Sequence, residues 1–288
     1  MKILIVGHGF VGKAVDYGFS TTNVEKTIID PKYDTRIEDV DVWSYNFVFV
    51  CVPTPMSANG SVDSSIIDNV LNALYKDAPE NYQRIVIIKS TIPPNVVENY
   101  NHPSIVYNPE FLTEKSANEQ FIDPQFHVIG GHPQATQNVA MLYNNFSLCN
   151  PTKIHLVGIK EASMIKYAIN TFLATKVTFF NQLYDVAKEN GIDFTSVIKV
   201  VGEDERIGHS HTKVPGFDGK QGFGGACFPK DCSAFVSYNN KLTLLDKVIK
   251  INNSYRTKYT LDEREIEQNV NYGEAEKEQQ SESNRGTE

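Results

Sequence analysis

Two short segments carry residues whose types and spacing could do chemistry. The first is Gln221-Gly222-Phe223-Gly224-Gly225-Ala226-Cys227-Phe228-Pro229-Lys230-Asp231. Its glycines clear space around one thiol, and a lysine and an aspartate follow. A nucleophilic cysteine needs access and a means of favouring its thiolate. The plainer reading of the same residues is a structural glycine loop with an incidental cysteine. The second segment is Gly7-His8-Gly9-Phe10-Val11-Gly12, a G-x-G-x-x-G directly after the apolar run Ile3-Leu4-Ile5-Val6 and directly before the helical stretch Lys13-Ala14-Val15. Glycines in that context allow a tight turn. They also let a pyrophosphate approach backbone N–H groups at a helix N-terminus. Asp30 ends the next apolar run, 23 residues after Gly7. A carboxylate there accepts hydrogen bonds from a ribose diol and repels a 2′-phosphate, which favours NAD over NADP. Lys32, two residues on, blurs that exclusion slightly.

The elements that must position these segments follow from hydrophobic patterning. Ile3–Val6, Thr27–Ile29, Phe47–Cys51 and Ile85–Ile88 are continuous, β-branched-rich runs. Such runs fit parallel strands buried on both faces. Ile105–Tyr107, Val128–Ile129 and Ile154–Val157 are weaker strand candidates. Strands interleaved with helices predict an α/β fold, an N-terminal Rossmann-like, doubly wound parallel sheet, over residues 1–157. From Lys160 to Asn190 there is no proline or glycine, so one long helix is expected, with Gly191 as its stop. A glycine-rich loop over Gly208–Gly225 and a last amphipathic helix from about Ser233 to Gln268 complete an all-helical central domain, 158–268. Asn269 to Glu288 holds one valine and one tyrosine as its large apolar residues, and five glutamates against Lys277 and Arg285 give it a net charge of −3. That composition reads as a disordered acidic tail.

Composition removes several function classes. The chain has 288 residues, enough for about two domains, and 41% hydrophobic residues to build a core. A formal charge of −8 argues against a general nucleic-acid binder. No apolar run is long enough to span a membrane, and the N-terminal run is too short for a signal peptide. Four scattered cysteines form no disulfide framework, and no C-x-x-C or His/Cys spacing suggests a metal. The expectation is a cytoplasmic protein with reduced thiols. Cys51, at the end of a strand, reads as a small core hydrophobe.

Beyond these features the sequence resembles the UDP-glucose/GDP-mannose 6-dehydrogenases, from residue 1 to about 258. Gly222–Asp231 is similar to their catalytic-cysteine motif. Val50-Cys51-Val52-Pro53-Thr54-Pro55 resembles the C-V-P-T-P that follows strand four of their cofactor domain. Lys89-Ser90-Thr91-Ile92-Pro93 resembles their K-S-T-[VI]-P turn, and Asn108-Pro109-Glu110-Phe111-Leu112-Thr113-Glu114 their N-P-E-F-L-x-E. Glu161 to Asn181 resembles their central helix, with Lys166, Asn170 and Asn181 in place. Arg206-Ile207-Gly208 leads into the cysteine loop as it does in the family.

The resemblance implies an NAD-dependent oxidation of the C6 alcohol of a nucleotide sugar to a carboxylate, using two NAD and one water. UDP-glucose leads, with UDP-N-acetyl sugars and GDP-mannose next. Cys227 would trap the aldehyde as a thiohemiacetal and carry the thioester. Lys166 and Asn170, spaced i, i+4 on one helix face, would stabilise the developing oxyanion. Asn181, three turns beyond Asn170, is expected on that face. Glu110 would orient the hydrolytic water, with Thr91 and Glu114 nearby, and Asp231 would hold water beside the thiol. Pro53, Thr54, Thr91 and Glu114 join the cofactor site. Phe111, Leu112, Arg206, Phe223, Gly224 and Gly225 join Glu110, Glu114, Lys166 and Asn170 around the substrate. The family pairs its long central helices into dimers. Leu242, Leu244, Leu245, Val248, Ile249 and Ile251 on the last helix are expected to add an apolar surface too large to leave wet, so a homodimer or higher homo-oligomer is expected. Where the family continues into a third domain that completes the nucleotide-sugar site, this chain reads as the acidic tail. Two other readings therefore stand beside the first: an NAD-binding remnant of weak or no activity that needs a partner for the missing domain, and a β-hydroxyacid dehydrogenase, which has no use for a cysteine loop.

Overall fold

A computed structural model describes residues 1–79, 82–113 and 116–273. Seven strands form one sheet: β1 (Lys2–Val6), β2 (Glu25–Ile29), β3 (Phe47–Val50), β4 (Ile85–Ile88), β5 (Ile105–Tyr107), β6 (Phe126–Gly131) and β7 (Lys153–Val157). Their order is β2-β1-β3-β4-β5-β6-β7. All neighbours run parallel except β5 and β6, which are antiparallel. The expected doubly wound sheet is therefore present with one reversed pair.

Helices cover both faces: α1 (Phe10–Gly18), α2 (Ser65–Tyr75), α3 (Pro94–Val97), α4 (Ala117–Ile122) and α5 (Pro133–Phe146). The continuous apolar runs are explained by this two-sided cover. Leu4, Val6, Val48 and Val50 enter one core, whereas Ile3, Ile5, Phe47 and Phe49 enter the other. The strand order reverses beside β1, so β1 and β3 flank the crevice in which such sheets hold ligands. The C-V-P-T-P segment follows the third strand here, not a fourth. Between β2 and β3 the chain makes short 3₁₀ turns capped by Asp30 and Asp41, and it adds no strand.

The second unit is helical: α6 (Ile159–Glu189), α7 (Phe194–Val201), α8 (Phe228–Tyr238), α9 (Thr243–Arg256) and α10 (Glu263–Glu267). At 31 residues, α6 is roughly 46 Å long and crosses from the sheet into the helical unit. It lies tight on β6, where a Cβ on Gly130 would meet the Ala162 Cβ at 2.5 Å.

The expected single helix from Ser233 to Gln268 is three. Asn239 ends α8 and its side chain accepts from the Lys241 amide at 3.0 Å, an Asx turn that restarts the chain into α9. Asp262 and Glu265 form a reciprocal capping box that starts α10. Residues 269–273, assigned to the tail by composition, pack instead. Val270 and Tyr272 are buried, and the Met56 amide donates to the Gln268 carbonyl at 3.0 Å. The remainder of the expected tail, 274–288, lies outside the described residues. Among the described residues no helix is long and apolar enough to cross a membrane.

Candidate active site

The glycine turn sits at the carboxyl end of β1. Gly7 has φ +88°, and a Cβ there would lie 2.7 Å from the Cys51 carbonyl oxygen. A Cβ on Gly12 would lie 1.9 Å from the Gly7 carbonyl oxygen, so α1 can approach the turn only without a side chain. Around Gly9 a Cβ would meet nothing within 4 Å, which leaves an open side above the first amides of α1. Phe10 and Val11 begin that helix and are half-buried. Asp30 accepts from the His8 amide at 2.6 Å and the Lys32 amide at 3.0 Å. Burial alone would raise its pKa, but these two amides and the nearby Lys32 charge hold it below the ordinary carboxylate value. The carboxylate is thus ionised, with lone pairs left for a ribose diol. An open glycine side, a helix N-terminus and an ionised acid after β2 fit a dinucleotide without a 2′-phosphate.

Pro53 and Thr54 follow β3 across the crevice. Pro53 is exposed; Thr54 is buried and its hydroxyl donates to the Thr91 carbonyl at 3.0 Å. That bond ties the loop after β3 to the loop after β4, where Thr91 is half-buried.

The second cluster is assembled across the helical unit. Lys166, 2% exposed on α6, donates to the Glu110 carbonyl at 2.5 Å and to Glu110 Oε1 at 3.1 Å. Glu110 Oε2 accepts from the Leu112 amide at 2.6 Å. One turn along α6, Asn170 Nδ2 donates to Asp231 Oδ2 at 2.7 Å. Asp231 Oδ1 accepts from Lys230 Nζ at 2.8 Å, and both residues are buried. Burial disfavours the Lys166 charge, yet the carboxylates of Glu110 and Asp231 hold its pKa above the ordinary lysine value.

Cys227 is half-buried and forms the N-cap of α8. Burial, then the charges of Glu110 and Asp231, push its thiol up to about 12, with Lys166 and Lys230 opposing. At rest this cysteine is therefore a protonated thiol between two ion pairs. Cys51 and Cys232 are buried and carry thiols raised by burial, as core residues.

The cysteine loop is clamped from behind. Gly222 and Gly225 have φ near +75°. The Gly222 amide donates to Asn181 Oδ1 at 2.9 Å, the Phe223 amide to Asn252 Oδ1 at 2.6 Å, and the Gly225 amide to Glu265 Oε1 at 3.1 Å. Asn181 thus anchors the loop and does not join Lys166 and Asn170. A Cβ on Gly224 would lie 2.1 Å from Arg256 Nη2.

The structure brings together Glu110, Lys166, Asn170, Cys227 and Asp231. Phe111 lies under the Lys166 ammonium, 5.3 Å from ring centroid to Nζ. Glu110, Phe111, Leu112 and Ile169 line a cavity of about 650 Å³. Phe223 is buried behind the loop. Arg206 is not drawn in: its guanidinium is 88% exposed and pairs with Asp204 at 2.6 Å. Glu114 lies outside the described residues.

Sequence reasoning gave no role to Lys230, although it stands inside the cysteine motif. It also missed Asn252, Arg256 and Glu265, whose only signal is a mixed-charge pattern that reads as a solvated helix face. The apolar surface expected on the last helix is mostly packed. Leu245 and Val248 are buried, Leu242 and Ile249 pack against the core, and Leu244 remains exposed.

The chain matches the UDP-glucose/GDP-mannose dehydrogenase family in two segments, its NAD binding domain over residues 31–147 and its central domain over residues 160–254. It is 32% identical over 296 residues to a UDP-glucose 6-dehydrogenase from Rickettsia bellii, covering 88% of this chain and 67% of that protein. Among solved structures it is similar to a UDP-glucose dehydrogenase from Pyrobaculum islandicum, with TM-score 0.73 and 25% identity over 87% of this chain and 67% of the other. A 3-hydroxyisobutyrate dehydrogenase from Mycobacterium tuberculosis shares the fold alone, at TM-score 0.65 and 17% identity over 86% of this chain and 90% of the other. The chain spans about two thirds of the length of these two UDP-glucose dehydrogenases.

Proposed function

The chain belongs to the UDP-glucose/GDP-mannose dehydrogenase family, and from that premise we propose that it oxidises the C6 alcohol of a nucleotide sugar to a carboxylate, with UDP-glucose the leading substrate. The observation that carries the reading is the pair of buried contacts, Glu110–Lys166 and Asn170–Asp231, that converge on the Cys227 loop. Unpaired burial of such charges would be strongly unfavourable, and a fold with no use for them is more simply packed with apolar residues.

The turn over Gly7–Gly12 and Asp30, with Thr54 and Thr91 across the crevice, would hold NAD, which would supply the hydride acceptor for each of two oxidations. The chain's own residues do the rest. Once the alcohol has become an aldehyde, Cys227 Sγ adds to C6. Its proton, still on sulfur at rest, leaves as the carbonyl oxygen gains one, giving a thiohemiacetal. Lys166 and Asn170, on one face of α6, stabilise the oxygen as it takes on negative charge. Loss of a second hydride and of the hydroxyl proton leaves a thioester on Cys227. Water adds to that thioester, the C–S bond breaks, and the thiol regains a proton as the carboxylate leaves. Glu110 and Asp231, on either side of Cys227, orient that water. Covalent capture keeps the aldehyde from escaping between the two oxidations. The cavity beside Glu110 gives the sugar room, with Phe111 and Leu112 as its wall.

We read the exposed face of α6 as the self-association surface. Phe172, Phe179 and Val186 are 66%, 59% and 52% exposed and recur every seven residues, one apolar stripe on a long helix.

The test is NADH release with a panel of UDP-glucose, UDP-N-acetyl sugars, GDP-mannose and 3-hydroxyisobutyrate at high concentration. Two NADH per molecule of one nucleotide sugar is the expected result. Turnover of the hydroxyacid alone, with one NADH each, would replace this reading by the β-hydroxyacid dehydrogenase one.

A further inference from the structure

The cavity beside Glu110 is bounded by both units, and each contributes one imidazole to its wall. His127 comes from β6 of the sheet, and His211 from the loop between α7 and α8. One nitrogen of each ring, Nε2 of His127 and Nδ1 of His211, is buried without a hydrogen-bond partner among the described residues. Aromatic contacts hold the rings in place. His127 lies 4.3 Å from Tyr143 between ring centroids, and His211 lies 5.7 Å from Phe228, the residue that follows Cys227. Buried polar atoms are nearly always paired, because an unpaired one costs free energy. His127 is only 8% exposed, in a strand position where an apolar side chain would cost nothing of the kind. Two such atoms on the wall of one cavity, next to the cysteine cluster, call for a partner that arrives with the substrate.

We propose that His127 and His211 are substrate-recognition residues, and that His127 Nε2 and His211 Nδ1 hydrogen-bond hydroxyl groups on the sugar ring of the bound nucleotide sugar. The inference rests on the reading of this cavity as the sugar site. The chemistry favours a hydroxyl over a phosphate. Burial, then the Lys89 charge, lowers His127 to about 4, and burial, then Lys176, lowers His211 below the ordinary histidine value. Both rings are therefore neutral at pH 7. A nitrogen of a neutral imidazole donates or accepts according to tautomer, and a hydroxyl can answer either way. A phosphate would gain no counter-charge from such rings. Lys89, on the same wall, donates to Asn108 Oδ1 at 3.1 Å, while the carboxylates of Glu110 and Asp123 face the cavity and would repel a phosphate. Phe111 and Phe126 supply apolar wall for the C–H faces of the sugar.

Calorimetric titration of the full chain with UDP-glucose and with UDP, in the absence of NAD, tests the assignment, using wild type, His127→Leu, His127→Gln and His211→Phe. His127→Leu and His211→Phe should each weaken UDP-glucose by about five- to tenfold. Both should leave UDP within about twofold of wild type, because UDP lacks the sugar. His127→Gln restores a donor and an acceptor and should recover part of the loss. Urea unfolding of the ligand-free chain separates recognition from packing. Leucine removes a buried nitrogen that has no partner, so His127→Leu should be at least as stable as wild type while it binds the sugar less well. A His127→Leu chain that lost stability and kept its UDP-glucose affinity would overturn the inference. Unchanged UDP-glucose affinity in both His127→Leu and His211→Phe would overturn it too. An equal loss for UDP and UDP-glucose would also do so, by placing the rings at the nucleotide. A wild type that bound neither ligand would overturn the reading of the cavity itself.

Discussion

The dinucleotide turn and the cysteine cluster solve their problems by opposite means. The turn is six consecutive residues plus Asp30, and what matters there is backbone: a left-handed Gly7, a Gly12 with no room for a Cβ, and amides left open at Gly9. The cluster draws Glu110, Lys166, Asn170, Cys227 and Asp231 from separate elements, and what matters there is buried charge. Damage to the turn should therefore show as lost binding, and damage to the cluster as lost chemistry with binding kept. It also means that the turn's fit can be judged at rest, whereas the cluster at rest holds the Cys227 thiol protonated.

The largest effect that could break this contrast concerns the resting thiol. Cys227 is pushed up to about 12. Because the thiolate is the reactive form, alkylation of Cys227 by iodoacetamide at pH 8 should be slower than that of an ordinary thiol by roughly 10²–10³. The rate should still be rising with pH well above 9. Glu110→Gln removes one of the charges that oppose the thiolate, so it should lower the pKa and speed alkylation at pH 8. An alkylation profile that levels off near pH 8 would show the cluster to be preset, like the turn.

Lys166→Ala comes next. Loss of the oxyanion partner should lower the turnover rate by roughly 10²–10³, with NAD affinity within about twofold of wild type. Stopped-flow absorbance of NADH and calorimetry read the two separately. A parallel fall in NAD affinity would merge the two regions that the contrast keeps apart.

Gly12→Ala tests the other side. Its Cβ has no place beside the Gly7 carbonyl, so the turn must open. The expected cost is roughly 1–3 kcal/mol of stability, measured by urea unfolding, together with weaker NAD binding. The reactivity of Cys227 in the absence of cofactor should be unchanged.

The smallest effect on chemistry is expected at the α6 stripe. Phe172→Asp with Phe179→Asp should convert a dimer into a monomer by light scattering at tens of micromolar, and should leave the alkylation rate of Cys227 unchanged. A wild-type monomer under the same conditions would refute the self-association surface.

The same contrast explains how much could be read in advance. All seven strands were legible because a sheet covered on both faces demands continuous apolar runs, and Ile3–Val6 or Ile85–Ile88 can be little else. The turn was legible because its function depends on glycines at fixed spacing next to a strand. Lys166, Asn170 and Cys227 could be singled out by spacing and resemblance, but not their partners. No local pattern says that Lys166 pairs with Glu110, or that Asp231 joins Asn170 to Lys230. The last helical stretch reads as one because Leu242, Leu245, Val248 and Ile249 keep a helical period, whereas the Asx turn at Asn239 and the capping box at Asp262 that divide it into three are made by short polar segments with no period of their own. Glu265 was hidden for a different reason. In an acidic stretch such as Asp262-Glu263-Arg264-Glu265 every carboxylate looks solvated, and only the fold shows that one of them is fully buried beneath the cysteine loop.

The central claim is that Cys227 carries the substrate between two oxidations. NADH formed per nucleotide sugar consumed, measured in wild type and in Cys227→Ala under saturating NAD, tests it most directly. Wild type should give two, and Cys227→Ala should lose the second oxidation and stop at the aldehyde, with no more than one. Two NADH per sugar from Cys227→Ala at the wild-type rate would contradict the account.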